Sequence, residues 1–227
     1  RAAYLGADEV TGPHATDSPT ALLGAIRMAL RRRGLRQKLA ADHRRFQAEA
    51  VTDSLTGAYN RRFFDSQLTK EISRSRRYDS PVSLLMVDVD HFKVINDSFG
   101  HQVGDRVLQE MVQVIRRTIR TPDLLARFGG EEFALILPST GPRGAAHLGE
   151  RLLQRIARHP FPLGEGGVPQ TVTVSIGLAT YDGAVQDFGV DEFVALVDRA
   201  LYRAKQEGRN RLARVQPQRS ESAEAES

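Results

Sequence analysis

Apolar residues run along this chain in two rhythms, one of helical period and one of strand period. From Ser18 to about residue 52, Leu22, Leu23, Ile26, Leu30, Leu39 and Phe46 recur at roughly helical spacing within a very polar segment. Ser18-Pro19 reads as an N-cap followed by a first-turn proline, and Gly34 interrupts the pattern. The segment 18–52 predicts a long, thinly apolar helix that buries little by itself. A second copy of the same helix would cover its stripe; a solvated connector accounts for the same pattern. Thr56-Gly57 breaks this helix, and another starts near Asn60, with Phe64, Leu68 and Ile72 on its buried face. Val82 to Asp90 is a short β-branched apolar run that ends in acids, which predicts a buried strand.

The remaining elements follow from the same rule. Gly100 to Arg120 carries Val107, Leu108, Met111, Val112, Ile115 and Ile119 and predicts an amphipathic helix. Leu124–Phe128 and Phe133–Leu137 flank Gly129-Gly130 and predict two strands joined by a tight turn. Ala145 to Ala157 is helical. Thr171 to Thr180 alternates, with Val172, Val174, Ile176 and Leu178 on one face, and predicts a half-buried strand. Asp191 to Gln206 aligns Phe193, Leu196, Val197, Ala200, Leu201 and Ala204 on one helical stripe, stopped by Gly208. Strands alternate with helices and one pair is a hairpin. The segment 53–213 is therefore expected to be an α/β domain, a mixed central β-sheet flanked by helices. Residues 1–17 are too few to fold alone, and the polar, low-complexity residues 214–227 are expected to be a disordered tail.

Composition adjusts this picture in a few places. The chain has 227 residues, 41% of them hydrophobic and 26% charged, which is ordinary for a globular protein. It has no Cys, which excludes disulfides, thiolate zinc sites and a cysteine nucleophile, and suits a reducing cytoplasm. No apolar run approaches the length needed to span a bilayer, so no membrane partner is expected. The first residue is Arg, which leads us to expect a fragment of a longer protein. The formal charge is +4 and the sequence pI about 9.7. Much of that charge crowds into the linker helix, at Arg31, Arg32, Arg33, Arg36, Lys38, Arg44 and Arg45. No groove-reading motif or aromatic platform accompanies it, so no nucleic-acid partner is expected.

The chemistry concentrates at strand ends. Asp88 and Asp90 close one buried run, and Glu131 and Glu132 open another directly after a glycine turn. If those strands are neighbours, several carboxylates meet at one sheet edge, a costly arrangement because close like charges raise one another's pKa. A divalent cation reverses that cost. Carboxylates without Cys or nearby His select a hard ion, Mg²⁺ or Mn²⁺, and the Val89 carbonyl between the aspartates adds a candidate ligand. Such metals usually serve phosphate chemistry. The glycines would permit positive φ in the turn and leave room for a ligand against the backbone. Taken alone, Gly-Gly before Glu-Glu is also an ordinary solvated hairpin turn.

Other residues fit a nucleotide. Lys205 and Arg209, expected one turn apart at the end of the last helix, suit a triphosphate, with Lys93 as a third cation; they equally suit the helix dipole. Asn96 and Asp105, on either side of a Gly-His turn, could read a guanine edge or cap the flanking helices. Arg120 and Asp123, three apart, usually form a weak local ion pair. An exposed Arg beside an Asp can also grip a guanine and a phosphate.

These stretches together resemble the GGDEF-domain diguanylate cyclases. Residues 129–133 read Gly-Gly-Glu-Glu-Phe, and "DSLTGAYNRRFF", "DVDHFKVINDSFGHQVGD", "ARFGGEEF", "SIGLA" and "ALYRAKQEGRN" follow in that family's order across 53–213. Ala58 stands where Leu is frequent. The resemblance implies a palm-like nucleotidyl-cyclase fold that condenses two GTP into cyclic di-GMP, releasing two pyrophosphates, as a homodimer paired through the N-terminal helix. It implies metal binding by Asp88, the Val89 carbonyl and Glu131, with Glu132 as a further ligand or base, so that Asp88, Glu131 and Glu132 form the catalytic set. It implies guanine reading by Asn96 and Asp105, phosphate binding by Lys205 and Arg209, and a position for Lys93 near the phosphates. It also implies product inhibition at an RxxD site, Arg120 and Asp123, with Arg151 as a secondary arginine. A silent GGDEF module acting as a cyclic di-GMP or GTP receptor is the competing reading; such receptors usually lose the signature acids, which are intact here. Upstream, "AAYLGADEVTGP" and "ALLGAIRMALRR" resemble the C-terminal end of a response-regulator receiver domain. Gly12 precedes Pro13 where a receiver normally has Lys, the mark of a degenerate receiver.

Overall fold

The computed structural model describes residues 51–163, 169–182 and 189–215, together with Met28, Leu30, Arg32 and Arg33. The chain divides into two units, Arg1–Ala50 and Val51–Ser227. In the first, the four described residues are helical and exposed. The receiver remnant expected over 1–17, nearly all of the linker helix expected over 18–52, and residues 216–227 lie outside the described residues.

The second unit opens with a turn, Asp53 to Asn60, and then a helix. Asn60 caps α1 (Arg61–Tyr78): its side-chain oxygen accepts from the Phe63 N–H at 2.9 Å, where the first helical turn lacks intrahelical partners. Then follow β1 (Val82–Val89), α2 (Phe92–Phe99), α3 (His101–Arg116), β2 (Leu124–Gly129) and β3 (Glu132–Leu137). The chain continues through α4 (Pro142–Arg158), β4 (Phe161–Pro162), β5 (Pro169–Gln170), β6 (Val174–Tyr181), α5 (Val190–Gln206) and β7 (Leu212–Val215). Five strands form one sheet in the order β2-β3-β1-β6-β7, antiparallel except for the parallel β6–β7 pair, while β4 and β5 form a separate two-stranded ribbon. This is the expected mixed sheet flanked by helices.

Strand parity divides the core in two. Leu85, Val87, Val89, Phe133, Leu135, Ile176 and Leu178 pack with Val107, Met111 and Ile115 of α3 and Leu152 of α4. Leu84, Met86, Ala134, Ile136, Ala179 and Tyr181 pack with Phe64 and Leu68 of α1 and with Phe193, Val197 and Leu201 of α5. Successive side chains on a strand point to opposite faces, so Asp88 and Glu132 share parity with the residues facing α1 and α5. That parity decides which cations they meet.

Several elements differ from expectation. Phe92–Phe99 is a helix that the apolar pattern misses, because only Phe92 and Ile95 of it are buried. The helix expected over Gly100–Arg120 ends at Arg116. β6 was expected to be half-buried; it is covered on both faces, because Gly177 lets α5 lie directly on it. A Cβ at Gly177 would collide with the backbone at Val197 and Leu201. Arg214 and Val215, expected in the tail, belong to β7. Among the described residues no helix is long and apolar enough to cross a membrane.

Candidate active site

β1 and β3 are direct neighbours, and their register sets Asp88 opposite Glu132. The loop between β2 and β3 is two residues, Gly130 and Glu131, because Gly129 pairs with Glu132. Neither Gly129 nor Gly130 adopts positive φ, so the conformational reason expected for the glycines is wrong. The spatial reason remains: a Cβ on Gly130 would meet nothing within 4 Å, which leaves the backbone open to a ligand.

The turn is held from two sides. The Val89 N–H donates to the Glu131 carbonyl at 3.4 Å, from the end of β1. Arg127 donates to the Gly130 carbonyl through Nε at 3.0 Å and Nη2 at 2.7 Å. Its Nη1 pairs with Asp53 at 3.1 Å. Burial works against the Asp53 charge, yet the Thr56 hydroxyl and amide and the Arg127 guanidinium outweigh it and hold the carboxyl below its ordinary value. Sequence reasoning assigned no role to Arg127 or Asp53, although both flank the quoted glycine turns.

Three carboxylates therefore gather at one edge. Asp88 is buried, at 6% exposure. Burial raises its pKa most, with the Asp90 charge adding to that, while the Lys205 ammonium and Arg209 oppose it. Burial also raises Glu131, reinforced by Asp88 and Glu132. Glu132 is raised by burial first, then by Asp88 and by Asp198 of α5, against the pull of Lys205 and Arg61. Asp198 was not anticipated, because it lies on the exposed side of a helix whose pattern shows only its apolar stripe.

Lys205 supplies the internal counter-charge: its Nζ lies 2.7 Å from an Asp88 oxygen. Arg209 is not on the helix with it, as the spacing suggested. α5 ends at Gln206, Gly208 turns the chain with φ of 117°, and Arg209 itself is left-handed at φ of 61°. The Asp88 carboxylate nonetheless feels both cations.

Asp90 has a different role. Its oxygens accept from the Thr173 hydroxyl at 2.7 Å, the Ser175 hydroxyl at 2.7 Å and the Asn210 N–H at 3.0 Å. It fastens β1 to the start of β6 and to the turn after α5. The donor set left for a cation is all oxygen, from Asp88, Glu131, Glu132 and the Val89 carbonyl, which fits a hard divalent ion. A dication would also offset the burial that raises these carboxylates and the repulsion that Asp88 exerts on Glu131 and Glu132. Among the described residues no three such side chains already converge as a metal cluster, and an Asp88 oxygen is taken by Lys205.

Asn96 lies on α2 and Asp105 on α3, joined through Gly100. The Asn96 Oδ1 is buried without a hydrogen-bond partner and presses on Gly104, where a Cβ would collide with it. Asp105 and Lys93 are exposed.

Arg120 and Asp123 belong to a separate place. Here Asp123 binds the Arg120 backbone N–H at 2.8 Å rather than its guanidinium, so the expected local ion pair is absent. Both line an open hollow of about 270 Å³ with Tyr59, Arg116, Ile119, Thr121 and Leu125. Arg151 is not among its lining residues; its Nη2 donates to the Thr118 carbonyl at 2.7 Å, and its Nε is buried without a partner.

The sequence profile described as "Diguanylate cyclase, GGDEF domain" matches residues 50–211. The response regulator PleD of Caulobacter vibrioides is 39% identical over 161 residues, covering 71% of this chain and 35% of that protein. The diguanylate cyclase DgcP of Pseudomonas aeruginosa is 42% identical over 164 residues, 72% of this chain and 24% of that one. This chain thus spans about a third or less of these relatives' lengths. The crystal structure of the coiled coil and GGDEF domain of DgcB from Caulobacter crescentus in complex with c-di-GMP superposes with a TM-score of 0.75. It has 29% identity and covers 83% of this chain and 97% of that one. The active GGEEF domain of a diguanylate cyclase from Vibrio cholerae gives a TM-score of 0.64 at 33% identity, over 70% of this chain and 98% of that one. With the profile covering most of the chain and its signature acids seated at one sheet edge, the protein belongs to the GGDEF, or diguanylate cyclase, domain family.

Proposed function

We propose that the domain condenses two GTP molecules into cyclic di-GMP and releases two pyrophosphates. The observation that carries this reading is the sheet edge where Lys205 faces Asp88, Glu131 and Glu132, with Arg209 also acting on Asp88. Lys205 and Arg209 bind the triphosphate, with Lys93 close to it. Asn96 and Asp105 read the guanine: Asp105 accepts from ring N–H groups, and the buried Asn96 amide is set in place by its contact with Gly104.

In the reaction, the ribose 3′-oxygen of one GTP forms a bond to the α-phosphorus of the other. The bond from that phosphorus to the β-phosphate oxygen breaks, pyrophosphate leaves, and the 3′-hydroxyl proton passes to a base. Glu132, at the same sheet edge beside Asp88, is the candidate for that base. Mg²⁺ or Mn²⁺, held by Asp88, the Val89 carbonyl, Glu131 and Glu132, would supply positive charge against the triphosphate and the departing pyrophosphate. One copy binds one GTP, so the active unit is two copies face to face. Pairing through the N-terminal helix would raise the effective concentration of one domain toward the other. Arg120 and Asp123 bind the cyclic dinucleotide product and restrain the enzyme, with Arg151 supporting them from α4.

Incubation of the protein with GTP and Mg²⁺, with and without a fused dimerising domain, tests this directly. Chromatography is expected to resolve cyclic di-GMP, in greater yield from the fusion. Absence of product from both, together with tight binding of cyclic di-GMP, would move the chain to the receptor class.

A further inference from the structure

The hollow beside Arg120 and Asp123 contains a second arginine that the RxxD spacing does not include. Arg116, in the last turn of α3, lines the same hollow. Its Nη2 donates to the Gly57 carbonyl at 2.5 Å, across from the turn that opens the domain. A guanidinium carries five N–H donors in a rigid plane, and among the described residues this is the one bond that Arg116 makes. One edge is anchored and the other donors remain available. Next to it stands Tyr59, 38% exposed, its ring backed by Phe63 with centroids 4.3 Å apart. An anchored guanidinium, a second arginine with no ion pair among the described residues, a carboxylate and a supported aromatic face are the groups that receive a phosphate and a purine.

We propose that Arg116 is a preset phosphate contact for the cyclic dinucleotide in this hollow, and that it ties the bound ligand to the Gly57 turn. The inference rests on the RxxD reading above and deepens it. Anchoring at Gly57 holds the side chain where the phosphate arrives, so little rotamer freedom is lost on binding. Linkage works in both directions: a ligand that uses Arg116 also stabilises the bond from Arg116 to Gly57. The same turn carries Asp53, the partner of Arg127. Arg127 in turn holds Gly130, so the ligand sits at one end of a bonded run that finishes at the catalytic loop.

The test is calorimetric titration of cyclic di-GMP into the full chain and its R116A, R116K, R120A and R117A variants, with hydrogen exchange followed at residues 55–60. Arg117 is the exposed neighbour and controls for loss of one positive charge. We expect R116A to weaken binding about tenfold or more, as for loss of a charged hydrogen bond. R116K, which keeps the charge but not the fork, should weaken it less, and R117A should stay within about twofold of the parent. Ligand should protect residues 55–60 in the parent and not in R116A. R116K keeps the question answerable if R116A does not fold. Parent-like binding by both Arg116 variants, with binding lost in R120A, overturns the proposal and leaves the RxxD reading standing. Equal losses in R116A and R117A reduce the effect to general charge and also overturn it. Tight binding that survives R120A refutes the RxxD reading itself, and this inference with it.

Discussion

The catalytic edge of the sheet and the hollow at the end of α3 handle charge in opposite ways. At the edge, the buried Asp88 sits beside the half-buried Glu131 and Glu132 and is neutralised from within, chiefly by Lys205. In the hollow, Arg120 is exposed, its guanidinium has no ion pair among the described residues, and Asp123 is spent on a backbone N–H. The first arrangement stores repulsion that a cation would relieve. The second stores unused donors that an anion would fill. Under the proposed function, each region would meet a ligand of the opposite sign.

The edge should be the more sensitive to substitution. Glu131→Ala is expected to lower the turnover of GTP by about 100-fold or more, as for removal of a group that stabilises charge in the transition state, with melting unmoved because Glu131 is partly exposed. A variant turning over near the parent rate would remove Glu131 from the mechanism. Within the edge, Asp88 and Asp90 separate function from architecture. Asp90→Ala strands three donors and should cost on the order of 3 kcal/mol in denaturant unfolding. Asp88→Asn should abolish synthesis and leave stability nearly unchanged. If both variants unfold alike, the division of labour between these two aspartates is wrong.

In the hollow, Arg120→Ala should raise the concentration of cyclic di-GMP needed for half-inhibition by about tenfold or more. Equal slowing of parent and variant by added product would remove Arg120 from the feedback site. The smallest effect is a slope with pH. Asp88, Glu131 and Glu132 all have raised pKa values in the fold. The folded state therefore binds protons that the unfolded chain has already released. Their contribution to stability is present below the ordinary carboxylate pKa and is lost as pH rises through the raised values. Measured against a variant carrying Glu131→Gln and Glu132→Gln, which keeps the opposing slope of the lowered Asp53 carboxyl, the parent's melting temperature in chelator should fall more over that window, and Mg²⁺ should flatten the difference. A parent slope no more negative than the variant's would contradict the raised values.

Much of this was legible in the sequence. The acids after Val87 and after Gly130 announced a carboxylate cluster, and the register of β1 against β3 brings Asp88 and Glu132 opposite one another. The different fates of Asp88 and Asp90 were not legible. They depend on Thr173 and Ser175, more than eighty residues away in sequence, arriving beside Asp90 and not Asp88. α2 escaped notice because eight residues with two buried side chains give no period to count. β7 escaped because its four residues are defined by pairing with β6, a property of the partner as much as of the segment. Arg116 and Arg127 carry no signal of their own: each acts on a backbone carbonyl, and carbonyls are the same in every residue.

The strand order has a further consequence, for how the molecule is made. The central pair, β1 with β6, joins residues roughly a hundred apart, from Val82 with Tyr181 to Val89 with Val174. Contacts so distant along the chain form slowly, because a long loop must close before any of them is rewarded. During synthesis β1 can already pair with β3, while its other edge waits for β6 to leave the ribosome. Until then an apolar strand, Val82 to Val89, has one open side, which makes the emerging chain a natural client for chaperones.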